Sequence, residues 1–88
     1  NLTRVNAAQA CRAAQDGRRA MALEWAGTAN VLYEQHLAAT VQTLAPRAHT
    51  PLAESLEELS SNLEAQKPVN ELCNRLPSLL AQAGEPLR

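Results

Sequence analysis

Apolar residues recur along this chain at helical spacing. Leu52, Leu56, Leu59 and Leu63 fall at i, i+4, i+7 and i+11, one face of a helix whose other side carries Glu54, Glu57, Glu58 and Glu64. Val69, Leu72, Leu76, Leu79 and Ala83 form a second stripe, out of phase with the first, so a kink or a new helix starts near Pro68. Upstream, one set runs Ala7, Cys11, Ala14, Arg18, Met21, Trp25, Thr28, Leu32, Ala39. Another runs Leu23, Gly27, Asn30 or Val31, Leu37, Val41, Leu44. The stretch after Met21 is therefore apolar on two sides, while the stretch before it is thinly apolar and mostly alanine.

No proline precedes Pro46, so the pattern predicts one long helix over about 2–45, some 65 Å in length. Its weak point is Asp16-Gly17, since glycine costs about 1 kcal/mol against alanine inside a helix. Continuity is the expectation, because good helix formers surround Gly17 and no loop follows it. A break there would instead let a short first helix fold back. The segment from Pro46 to Pro51 reads as a connection, with Thr50 as N-cap and Pro51 at the first helical position of the next helix. That helix runs over about 51–67, followed by a kinked continuation or a separate helix over about 68–83. Gly84-Glu85-Pro86 closes the ordered part.

The predicted fold is all-α: an antiparallel helical hairpin, completed to a bundle by dimerisation or by fold-back at Gly17. It is read as a single small helical domain over 1–88, or as a helical segment excised from a larger protein. Composition agrees with the helical reading. Ala (17) and Leu (14) dominate the 88 residues, Val is scarce, and Phe and Ile are absent. A chain this short with so few bulky apolar side chains is marginal alone, which favours a partner.

The net charge of −1 recruits neither nucleic acid nor an acidic membrane, and Arg4, Arg12, Arg18 and Arg19 make only a thin basic strip. No run of apolar residues is long enough to span a membrane. Asn1-Leu2-Thr3 matches an N-glycosylation acceptor and is read as chance.

Cys11 and Cys73 have neither the spacing nor the neighbouring histidines of a metal site. They are read as free buried thiols of a cytoplasmic protein. In an extended hairpin Cys11 would lie roughly 18 Å along the axis from Cys73, too far for a disulfide. Fold-back at Gly17 would bring both level with residue 23, where the thiols could approach.

Catalytic templates find no match. His36 is placed mid-helix and His49 in the connection, both on surface or packing duty, and Glu34 and His36 point to different faces. No cofactor and no enzymatic activity are expected. The function expected is a helical protein–protein interaction or oligomerisation module of an adaptor or scaffold, binding a protein partner or a second copy. Leu52, Leu56, Leu59 and Leu63 are its first candidate contacts, with Trp25, Leu32, Tyr33 and Leu37 as the facing set.

Trp25-Ala26-Gly27 is a Trp-x-Gly tripeptide. It resembles the one at the turn of the small all-helical hairpins secreted by type VII systems. That resemblance implies an exported, dimeric helical-hairpin protein, the alternative to a scaffold. The chain departs from the pattern in placing the tripeptide inside a continuous helix, with the turn marked by Pro46 and Pro51.

Overall fold

A computed structural model describes residues 2–84. Asn1 of the glycosylation tripeptide, and Glu85-Pro86 of the expected terminus, lie outside the described residues. The described chain is all-helical: α1 (Leu2–Gln15), α2 (Arg19–Leu32), a π-helical turn (Tyr33–Leu37), α3 (Ala38–Leu44), α4 (Pro46–Glu64) and α5 (Asn70–Gly84). These pack into a small bundle of 36 × 21 × 19 Å, which a straight rod of about 65 Å could not enter.

The continuous helix expected over 2–45 breaks at Gly17. Gly17 has φ +78, its N–H donates to the Ala14 carbonyl at 3.1 Å, and the Arg18 N–H donates to the Ala13 carbonyl at 2.8 Å. This is a Schellman motif, with glycine at the left-handed C′ position. The motif reverses the chain within three residues, so the lack of a loop sequence after Gly17 does not keep the helix going. α1 then folds back along α2.

The α1–α2 seam is built from alanine. Ala7, Ala10 and Ala13 on α1, and Ala22, Ala26 and Ala29 on α2, are all buried. Methyl side chains let two helix backbones approach closely, so the seam is tight although each residue buries little area. The apolar stripes expected for α2 are largely turned outward: Met21, Trp25 and Val31 are exposed, as is Leu44 on α3. Gly27 lies inside α2 with no turn beside it.

The buried face continues as Tyr33, Leu37 and Val41, in steps of four residues. A straight α-helix would rotate about 40° off the core at each such step. The π turn supplies the correction, with the Ala38 N–H donating to the Tyr33 carbonyl five residues back.

The connection expected between Pro46 and Pro51 is helical instead. Ala45, at φ −144, is the single non-helical residue between α3 and α4, and Pro46 sits at the start of α4, where its missing N–H costs nothing. Pro51 lies inside α4 and forgoes one bond, to the Arg47 carbonyl, on an exposed stretch. α4 then presents Leu52, Leu56, Leu59 and Leu63 to the core, joined by Val69, Leu72 and Leu76 from the α5 side. The α4–α5 link repeats the first turn's geometry. The Gln66 N–H donates to the Leu63 carbonyl at 3.2 Å, and the Lys67 N–H to the Asn62 carbonyl at 2.7 Å. Gln66, at φ 60, takes the position glycine takes in the first turn.

The two cysteines are not free thiols. Cys11 and Cys73 form a disulfide that ties α1 to α5, with Cα atoms 5.7 Å apart. Fold-back at Gly17 is what brings them level.

Candidate functional site

α1 and α5 meet along a short stretch centred on the disulfide. On either side of it the helices leave a hollow. The larger, of about 380 Å³, lies toward the start of α1 and the end of α5. Its floor is apolar, made of Ala7, Ala8, the Cys11–Cys73 sulfurs, Leu76, Pro77 and Leu80. Leu76 is fully buried and Leu80 half-buried, so one anchors the wall and the other closes it. Pro77 is exposed within α5 and adds a rigid apolar surface beside them.

The rim is set by α1. Arg4 and Arg12 of α1 line it with Gln15, which adds two cationic side chains above the apolar floor. Among the described residues no carboxylate lines this hollow. The smaller one on the other side of the disulfide, about 160 Å³, mixes Gln15, Arg19, Asn70 and Asn74 with Ala14, Pro68 and Val69. A third hollow beside the α4–α5 link mixes Glu58 and Glu71 with Lys67 and Arg75. Among the described residues, the first is the one that sets two cations over a mainly apolar floor.

A second polar cluster ties the π turn to α4. Tyr33 Oη and His49 Nδ1 share a hydrogen bond of 2.8 Å, and His49 Nε2 shares one of 3.0 Å with the Gln42 side-chain amide. The two rings also stack, with centroids 5.7 Å apart. Burial pushes the Tyr33 phenol above its ordinary pKa, because the phenolate would lose its water. Among the described residues no carboxylate, serine or threonine hydroxyl, or thiol joins these hydrogen bonds. The trio works as a fastener between segments. Among the described residues no three His, Cys, Asp or Glu side chains gather as a metal site. Nor, among the described residues, is any helix long and apolar enough to cross a membrane.

The residues singled out as partner contacts divide by depth. Leu52, Leu56, Leu59, Leu63 and Tyr33 are buried in the chain's own core. Leu32 and Leu37 are half-buried, and Trp25 is exposed beside Met21 on the outer face of α2. The acidic residues Glu54, Glu57, Glu58 and Glu64 all face water. The hollow over the disulfide was not singled out from sequence. Its signal was present in the Arg4 and Arg12 cations and the Leu76–Leu80 pair, but nothing in the linear pattern sets those two helices side by side.

Comparison with protein-family models, with curated proteins and with solved structures finds no match for this chain.

Proposed function

We propose that this chain is a non-enzymatic helical binding module, a small disulfide-stapled carrier working in an oxidising compartment. The observation that carries the reading is the apolar hollow between α1 and α5, floored by the Cys11–Cys73 disulfide and rimmed by arginine. Small-molecule sites in helical proteins favour this kind of place, a gap between helices with a few placed polar groups. A cystine is rare in a reducing cytosol and at home in secreted or periplasmic proteins. It weighs against the cytoplasmic location expected from the sequence and toward the exported alternative. The Tyr33–His49–Gln42 cluster is accounted for as packing, which supports a binding rather than a catalytic role. Thiol titration of the native folded protein tests the reading: none before reduction and two after it is the expected result. Two free thiols in native protein would overturn it.

A second reading, a protein-interaction or oligomerisation module of an adaptor or scaffold, is favoured by exposed Met21 and Trp25, one turn apart on α2. Tryptophan is enriched at the centres of such interfaces. Sedimentation across concentration, with Trp25→Ala beside the parent chain, separates the two. Concentration-dependent assembly that Trp25→Ala abolishes supports the module, and a monomer throughout supports the carrier.

A further inference from the structure

Resting on the carrier reading, we infer that the hollow between α1 and α5 binds a single-chain anionic amphiphile, a fatty-acid anion, with its carboxylate at Arg12 and its hydrocarbon over Leu76 and Leu80. Three features select this ligand. First, the floor offers methyl, methylene and sulfur surface and nothing that must be hydrogen-bonded. Second, the charged groups that line the hollow among the described residues are Arg4 and Arg12, both cations, and Arg12 stands at the disulfide end beside the apolar floor. A guanidinium matches a carboxylate bidentately, so an anionic head is recognised in geometry as well as sign. Third, at about 380 Å³ the space lies near the lower end of the range for small-molecule pockets, roughly 300–1,000 Å³. That suits one chain rather than a two-chain lipid or a peptide helix. The head sits where α1 is open to water, and the tail runs away from it between α1 and α5.

The test is a titration of the intact, oxidised protein with octanoate, decanoate and laurate below their micelle concentrations, read by backbone amide shifts and calorimetry. The expected result is binding that tightens about fourfold per added methylene. The shifts should centre on Cys73, Leu76, Leu80 and Arg12. Arg12→Glu should weaken laurate at least tenfold with the helical circular dichroism unchanged. Leu80→Glu should abolish binding, and a helical spectrum for that variant keeps its loss interpretable. Dodecyltrimethylammonium binding the same residues as tightly as laurate would overturn the anion assignment while leaving the carrier reading in place. An acidic amphipathic peptide that shifts these residues where laurate does not would overturn the fatty-acid assignment and the carrier reading in favour of the protein-interaction module. No shift at these residues with any of the probes would overturn both.

Discussion

The Arg19 guanidinium donates from Nη2 to the Lys67 carbonyl at 2.8 Å, and reaches the Asn62 carbonyl at 3.4 Å. Arg19 opens α2, directly after the Gly17 turn, and Asn62 and Lys67 flank the end of α4. One side chain thus joins the two Schellman turns at the same end of the bundle. It also places a cation at the negative end of a helix dipole.

Removing that link should therefore loosen both turns together. Arg19→Ala is expected to cost about 1–2 kcal/mol, the range of a charge-assisted hydrogen bond at a half-buried site. Arg19→Lys should restore much of this, because both bonds leave one nitrogen, Nη2, and an ammonium also carries several donors on a single atom. Urea denaturation of the three proteins measures it. Equal stability across them would show that the two turns are held by their own backbones.

Gly17 and Gly27 should respond to alanine with opposite signs. Neither position has an atom within 4 Å of an added Cβ, so sterics with neighbours do not decide. Gly17 sits at φ +78, where an L-residue is strained, and Gly17→Ala should destabilise by about 1–2 kcal/mol. Gly27 lies inside α2, and Gly27→Ala should stabilise by about 1 kcal/mol, a rise of roughly 4–8 °C in thermal midpoint. Thermal melts of the two variants check the pair.

Gln66 poses the converse case. It holds a left-handed conformation with a Cβ in place, at φ 60. Gln66→Gly relieves that strain but frees the unfolded chain, so a net gain of about 0.5–1 kcal/mol is expected. Denaturant midpoints are the measure, and a loss of stability would mean the glutamine side chain contributes contacts of its own.

Alkaline pH should destabilise the protein through Tyr33. Its phenol is raised above 10.0 by burial, whereas in the unfolded chain it ionises near that value. Above about pH 10 the unfolded state sheds its proton while the folded state keeps it, so the folded state binds more protons and stability falls as pH rises. Below that range the group is neutral in both states and contributes no slope. Tyr33 is the chain's single tyrosine, so phenolate absorbance reports it without ambiguity. Tyr33→Phe should flatten the alkaline branch of a stability–pH curve, at the cost of the hydrogen bond to His49.

What the sequence determined by itself was helix, and most of the face that α4 and α5 bury. Leu52, Leu56, Leu59, Leu63, Val69, Leu72 and Leu76 reach the core as their periodicity predicts, because a large aliphatic side chain at regular spacing has one favourable place to go. Tertiary structure decided the rest. Gly17 is equally a costly interior residue or an economical C′ turn, and the choice depends on whether α2 offers α1 a surface to fold onto. It does, through alanines whose value comes from close helix approach rather than transferred area, so Met21 and Trp25 were left outside and Ala22 and Ala26 went in. That same fold-back carried Cys11 to Cys73. It also set the arginines of α1 beside Leu76 and Leu80, a meeting of residues distant in sequence that no local pattern encodes.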